Sequence, residues 1–407
     1  MTATRRQPRI FMMDLLATVP YYTAYLSKSL LHDNVNLTVG SISYYLDPAC
    51  FTSRNITLDP GLLNLVGRFN LPRVLRRILK LVEAVLNLAA LGLRFLISPP
   101  DIIHVQFLPM LRSRLPIDRW FVQICRSRGS KIVLTVHDLL PHDTGEAHKS
   151  IYAHLYRSVD AIICHSDSIL TRLTTEFAIP ESKISVIPHG PFFYDLPPAN
   201  DHTLQNFGLN PESTIVLWQG IIFPYKGIDL LLEAWQQVEA LCPQACLVIA
   251  GTGAPELLDQ IRTQVASLDL QRVKLHFRFV STEELVALYR RADIVVYPDR
   301  AITPRGALAT GLALGKTIVA TDLPVFRELL TDGQNALLVP PHNAAALASA
   351  LTTLLQDPSL RDRLAKQVRS MRFGDESWLA IAQQTAAVYN RVLAAGTHQP
   401  DPTNLRK

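Results

Sequence analysis

The sequence predicts an α/β protein built from two doubly wound, parallel-sheet domains in tandem. Short apolar, β-branched runs alternate with amphipathic helical patterns along nearly the whole chain, which is how parallel sheets covered by helices on both faces are written. At 407 residues the chain exceeds the roughly 250–300 at which one core stops growing. With 48% hydrophobic and 18% charged residues it can fill two cores. A proline-rich stretch near the middle, PFFYDLPPAND, interrupts the alternation, which then restarts.

In the first half the strand candidates are 10–15, 35–43, 101–107, 131–137, 160–165 and 183–188, with helices near 21–31, 72–97, 116–127, 149–157 and 167–177. In the second half strands are expected at 214–219, 245–251, 273–279, 293–297 and 317–321, and helices at 228–240, 255–268, 282–290, 305–314 and 344–355. These patterns give domains of residues 1–195 and 196–375. A closing helix over 376–396 is expected to return to the first domain, ahead of a disordered tail, 397–407.

Composition narrows the function classes. The five cysteines, at 50, 125, 164, 242 and 246, are scattered without the paired spacing of a zinc site or a disulfide framework, so a reducing compartment fits. Arg5, Arg6 and Arg9 precede an apolar run as in a signal peptide, but that run contains Asp14 and reads as a first core strand. No stretch reaches the roughly 18 uninterrupted apolar residues that cross a bilayer. The chain is therefore expected to be cytoplasmic.

Residues 1–200 hold 21 Lys and Arg against 15 Asp and Glu, a modest basic excess, and the arginines are not interleaved with aromatics as a nucleic-acid surface would need. Arg73, Arg77, Lys80, Glu83, Asn87 and Arg94 recur at helical spacing and draw one polar stripe on the otherwise apolar 72–97 helix. Two readings fit that stripe. It is the solvated face of a packed helix, or its basic first turns rest on an anionic leaflet as a peripheral membrane contact.

Parallel sheets bind ligands beyond the carboxyl ends of their strands, so the loops there are where chemistry is expected. The first strand of the second half ends in QGIIFPYKGIDLL, where Gly220 closes the strand and Lys226 and Gly227 precede a helix. An ammonium beside a helix N-terminus suits a diphosphate, although a surface lysine would look the same. In PDRAITPRGAL, Thr303 is a good N-cap, Arg305 can offer a forked donor to phosphate, and Gly306 leaves the backbone bare at the helix start. In the first half, KIVLTVH ends at His137 and Asp138 and runs on to His142 and Asp143, placed to meet a sugar hydroxyl. His104, His165 and His189 read as supporting residues.

These loops, in this order, resemble the GT-B glycosyltransferases, and specifically the large retaining family 4, or group 1, type. The resemblance rests on PDIIHVQF, VLTVHD, DAIICHSDS, ISVIPHGP, GIIFPYKGIDLLLEA, LVIAGTG, STEELVALYRRADIVVYP and ALGKTIVATD, and it covers nearly the whole chain. It implies two Rossmann-like domains facing each other across a cleft, a UDP- or GDP-sugar donor, no metal and no other cofactor. By residue, it implies that Lys226 meets the donor diphosphate, that His137 serves donor sugar and acceptor, and that 277–280, with Phe279 and Val280, cradles the base. Tyr21, Asp138, His142 and Asp143 become candidate acceptor or sugar contacts.

The chain departs from the family in two places. The family's glycine-arginine pair reads Gly220-Ile221, and the two family glutamates fall on Ile302 and Thr310. The 299–308 loop is similar to a threonine- and glycine-containing variant, in which Arg305 would take over the missing cation's work. The expected function is transfer of a hexose-type sugar to a lipid-linked or polysaccharide acceptor; the alternative is a degenerate GT-B partner that binds nucleotide or glycan without turnover. A dinucleotide-dependent dehydrogenase is set aside, because no G-x-G-x-x-G turn follows the first strand.

Overall fold

The structure, a computed structural model, describes residues 6–33, 35–69, 72–111, 117–140, 145–195, 204, 207–300, 306–371 and 373–396. It divides into two compact units. One runs to Pro188 and resumes at Trp378; the other spans His189–Ser377.

The first unit is built in the order β1 (Arg9–Asp14), α1 (Pro20–His32), β2 (Asn36–Ser41), α2 (Arg73–Ile97), β3 (Ile102–Val105), α3 (Ile117–Ser127), β4 (Lys131–Val136), α4 (Gly145–Ser158), β5 (Ala161–Cys164), α5 (Asp167–Phe177) and β6 (Ile184–Val186). Its sheet has the order β2-β1-β3-β4-β5-β6, with all pairs parallel. β3 and β5 are buried at every position, as strands covered on both faces must be. The strand order reverses beside β1, so the carboxyl ends of β1 and β3 form the crevice of this sheet.

The second unit contains β7 (Thr214–Ile222), α6 (Ile228–Leu241), β8 (Ala245–Gly253), α7 (Pro255–Ser267), β9 (Val273–Phe277), α8 (Thr282–Arg291), β10 (Ile294–Tyr297), α9 (Gly306–Ala313), β11 (Thr317–Thr321), α10 (Pro324–Arg327), β12 (Leu337–Val339), α11 (Ala344–Gln356) and α12 (Pro358–Ser370). Its sheet order, β12-β11-β10-β7-β8-β9, is again all parallel and reverses between β7 and β10. Trp218 and Trp235 fill the core beneath it.

The last helix, α13 (Asp375–Gly396), passes into the first unit at Trp378. Trp378 is fully buried and stacks on Tyr25 with centroids 5.4 Å apart, and Arg391 donates to the Ser185 hydroxyl at 2.8 Å. Burying an aromatic side chain of this size stabilises by about 2–3 kcal/mol, enough to fix the helix there.

The structure corrects two local expectations. β7 does not close at Gly220 but continues to Ile222, because Gly220 and Gly251 pair side by side and the ladder runs on to Ile222 and Gly253. A Cβ on Gly251 would lie 1.9 Å from the Gly220 carbonyl oxygen, so the close approach depends on glycine. The second correction concerns α2, whose polar stripe is not its solvated face. Glu83 accepts from the backbone N–H groups of Leu65 and Val66, and Asn87 bonds both polar groups of Leu63. Arg94 pairs with buried Asp59 at 2.5 Å. From Glu83 on, the stripe is turned toward a loop that has no regular ladder of its own, while Arg77 stays exposed; α2 packs on the core through Leu88, Leu91 and Phe95, and a second apolar face is turned out.

Candidate active site

In the second unit the candidate donor site forms where β7 and β10 end. After β7 the chain makes a single 3-10 turn, Pro224–Lys226, and Gly227 reverses it in the left-handed region at φ 64°. A Cβ at Gly227 would meet the Pro298 carbonyl oxygen at 2.0 Å, so the turn can lie against the β10 loop only with glycine there. Arg300 joins the two loops. Its N–H donates to the Tyr225 carbonyl at 2.7 Å, and its guanidinium donates to the Pro224 carbonyl at 3.1 Å and to Asp229 at 2.5 Å.

Held in this way, Lys226 places its Nζ 3.3 Å from Oδ1 of Asp299, a carboxylate almost wholly withdrawn from water. The Asp299 carbonyl in turn accepts from the Thr321 hydroxyl at 2.6 Å. The pair fixes an ammonium at the sheet's switch point, beside the start of α6, where anions are favoured.

The loop after β9 is also fixed. Arg278 forms a two-pronged pair with Glu284, 2.7 Å on each arm, and Glu284 and Ser281 form a capping box at the start of α8. Phe279 is half-buried and Val280 buried. At α9, a Cβ on Gly306 would lie 3.2 Å from the rings of His189 and Phe192. Thr310 is buried one turn on; its hydroxyl donates to the Gly306 carbonyl at 2.8 Å and accepts the Phe192 N–H at 3.2 Å. These bonds bind the 189–195 segment to the second unit.

In the first unit a continuous polar chain runs beneath the carboxyl ends of β3, β4 and β5. Tyr389 of α13 meets His104 Nδ1 at 2.7 Å, and Thr135 meets His104 Nε2 at 2.7 Å. Gln106 lies 3.2 Å from that Nε2 and, through Oε1, 2.9 Å from His137 Nε2. His137 Nδ1 faces His165 Nε2 at 3.3 Å, and His165 Nδ1 donates to the Ile187 carbonyl at 3.0 Å. Burial pushes the His104 ring down to about 3, so it stays neutral. Tyr22 packs edge-on to His137 with centroids 4.7 Å apart. Asp14, at the end of β1, is buried and accepts from the N–H groups of Thr18 and Val19, which anchors the start of α1.

Two family models divide the chain between them, Glycosyltransferase Family 4 over residues 22–190 and Glycosyl transferases group 1 over 200–371. The chain belongs to the group 1 glycosyltransferases. The D-inositol 3-phosphate glycosyltransferase of Jonesia denitrificans is 28% identical over 319 residues, 73% of each chain. The phosphatidyl-myo-inositol mannosyltransferase of Mycobacterium leprae is 34% identical over 179 residues, 43% of this chain and 45% of that one. Among solved structures, Anabaena HepE in complex with UDP and glucose superimposes with a TM-score of 0.70 at 19% identity, covering 94% of this chain and all of that one. The two six-stranded parallel-sheet units are thus those of a GT-B glycosyltransferase.

In the transferase, Gly220, Lys226 and Gly227 belong to the end of β7 and Gly306 to the start of the helix after β10, the two adjacent central strands of the sheet, while Phe279 and Val280 follow β9 at its edge. Thr303, Arg305, His142 and Asp143 lie outside the described residues. Asp138 is exposed beside His137, and Tyr21 donates to Asp47 at 3.0 Å while its neighbour Tyr22 is the tyrosine at the histidines. Ile221, where the family arginine would stand, is exposed and offers no cation.

The residues that sequence reasoning missed are Asp299, Arg300 and Gln106. All three follow strand ends, in VVYPDR and IIHVQF, so the strand-end rule covered them; their partners, 71 to 76 residues away for Arg300 and 31 for Gln106, did not show. Among the described residues no group of three or more His, Cys, Asp or Glu is placed to hold a metal ion.

Proposed function

We propose that this glycosyltransferase moves a hexose-type sugar from a UDP- or GDP-sugar to a lipid-linked or polysaccharide acceptor, retaining the anomeric configuration and using no metal. The observation that carries the reading is the Lys226 ammonium, fixed by Asp299 at the switch point of the second sheet. As the bond from anomeric carbon to diphosphate breaks, negative charge builds on the leaving phosphate, and a fixed cation stabilises that state more than the ground state. Arg305 and the backbone N–H groups at the start of α9 are proposed to add to it.

His137 would position the sugar. The complexes of Anabaena HepE with UDP and with UDP-glucose support a uridine donor for this fold. The mannosyltransferase relative, named for phosphatidyl-myo-inositol, supports a lipid-linked acceptor. Among the described residues no helix is long and apolar enough to cross a membrane. We place the enzyme in the cytoplasm, at the inner face of the membrane.

A non-catalytic partner is the second reading, and Thr310 favours it: the second family glutamate is replaced by a hydroxyl engaged wholly within the fold. Calorimetric titration with UDP, GDP and ADP, repeated on Lys226→Ala and Arg305→Ala, separates the two. Transfer predicts micromolar binding of one nucleotide, weakened about tenfold or more by each change, about 1.4 kcal/mol, together with release of that nucleotide from its sugar on turnover. Binding without turnover across a panel of donors and acceptors would leave the partner reading; no binding at all would remove the donor site.

A further inference from the structure

The 25-residue helix α2 is about 37 Å long and packs on the core through Leu88, Leu91 and Phe95, yet it leaves a second apolar face exposed, against the usual rule for a soluble protein. Its polar side chains Glu83, Asn87 and Arg94 are engaged by the 59–66 loop. Arg76 lies over the Tyr45 ring, 4.1 Å from its centroid, and burial lowers the Lys80 ammonium below its usual range. On the opposite side Val74, Ile78, Val82, Leu86, Leu93 and Ile97 recur at spacings of four or seven and stand 48–86% exposed. That spacing makes them one stripe along the full length of the helix. The loop that Glu83 and Asn87 hold against α2 adds exposed Leu63, Leu65 and Phe69. Trp120 is exposed on α3, which packs beside α2 through Phe95 and Phe121. A contiguous apolar strip of this length on one face marks an interaction surface.

The charges around the strip choose among occupants. Residues 60–98 contain six Lys and Arg and one acid, Glu83, which is buried in the loop contact. Arg68 and Arg77 are exposed beside the strip. A second copy docked through the same face would set these cations against their equals. A convex single helix also presents no groove for a shaped partner. An anionic leaflet needs no shape complementarity, takes up the apolar side chains between its acyl chains and pairs its headgroups with the flanking cations.

We infer that α2 is a monotopic anchor, lying along an anionic lipid leaflet with its apolar face inserted. This reverses the contact drawn from sequence, in which the basic stripe rested on the surface: here the apolar face enters and the cations border it. The inference does not rest on the identity of the sugar transferred.

Flotation of the full-length protein with vesicles of 30% phosphatidylglycerol in phosphatidylcholine tests it. The wild type is expected to float with these vesicles and at least fivefold less with phosphatidylcholine alone. Val82→Glu/Leu86→Glu is expected to float tenfold less or worse, with unchanged circular dichroism and melting temperature. Leu93→Glu/Ile97→Glu provides the same test should the first pair fold poorly. A Val82→Cys protein labelled with an environment-sensitive dye is expected to shift to the blue on adding vesicles. Wild type that stays in the aqueous fraction, or a dye that does not respond, would overturn the inference. So would sedimentation velocity showing a wild-type dimer that Val82→Glu/Leu86→Glu converts to monomer, because the face would then belong to a second copy.

Discussion

His137 Nδ1 stands 3.3 Å from His165 Nε2, and the proton between them is decided elsewhere. The Ile187 carbonyl can only accept, so His165 Nδ1 carries a proton. With His165 neutral, its Nε2 is bare and His137 Nδ1 must donate. His137 Nε2 lies 2.9 Å from Gln106 Oε1, also an acceptor, so in this arrangement both His137 nitrogens are protonated and the ring is an imidazolium. Rotating the Gln106 amide by half a turn presents a donor instead and closes the same chain with every ring neutral. The amide orientation and the charge on the pair are therefore coupled.

Gln106→Glu replaces that amide with a group that only accepts and is itself negative, which favours the charged ring. The His137–His165 pair is expected to titrate at higher pH than in wild type, read from ring resonances assigned with His137→Asn. An unchanged or lower midpoint would detach Gln106 from the pair. His165→Asn, which removes the acceptor for His137 Nδ1, is expected to lower kcat with little change in KM for the donor.

Gly227 is where donor-site geometry and stability meet. Alanine would carry both the left-handed backbone penalty and a Cβ 2.0 Å from the Pro298 oxygen. Gly227→Ala is expected to destabilise the protein by at least about 2 kcal/mol and to weaken nucleotide binding as Lys226 moves off Asp299. Chemical denaturation and calorimetry on the same preparation check both effects, and wild-type stability would show that the two loops do not need their close approach.

Restoring the family's carboxylate at Thr310 is expected to fail. The site is almost fully buried, and its hydroxyl satisfies the Phe192 N–H and the Gly306 carbonyl together. Thr310→Glu is expected to lower the melting temperature without raising turnover. Thr310→Val, which leaves the Phe192 N–H unsatisfied, is expected to cost about 1–2 kcal/mol. A gain of activity in Thr310→Glu would make the position catalytic.

Asp118 gives the first unit a pH signature. Its carboxyl is buried and accepts from the Met110 N–H at 2.8 Å, and burial pushes it up to about 7. Because the folded value lies above the unfolded one, the native state holds a proton that the unfolded chain has lost. The group's contribution is thus fully present below about 4 and fades as pH rises toward 7. Asp118→Asn removes that dependence. The variant is expected to gain on wild type between pH 5 and 8, by about 4 kcal/mol at most, with the difference shrinking again toward pH 4. Parallel stability curves across this range would exclude the carboxyl as a titrating group.

Local patterns along the chain suffice for the two-unit α/β architecture, the position of nearly every strand, the glycine at 227 and the lysine at 226. Those are local facts: alternation of apolar runs, a turn that needs positive φ, a cation before a helix. The sequence did not disclose Asp299 as the partner of Lys226, or the chain from Tyr389 through His104 and Gln106 to His137, since the bonds Lys226–Asp299, Tyr389–His104 and Gln106–His137 join residues 31 to 285 positions apart. Nor did it say which way α2 turns. Helical spacing reveals that polar and apolar residues occupy opposite faces, but not which face meets the protein, because that depends on what the rest of the chain leaves unsatisfied. Here it was a loop with free backbone N–H groups, and Glu83 and Asn87 were drawn inward to meet them, leaving Val74, Ile78, Val82, Leu86, Leu93 and Ile97 outside.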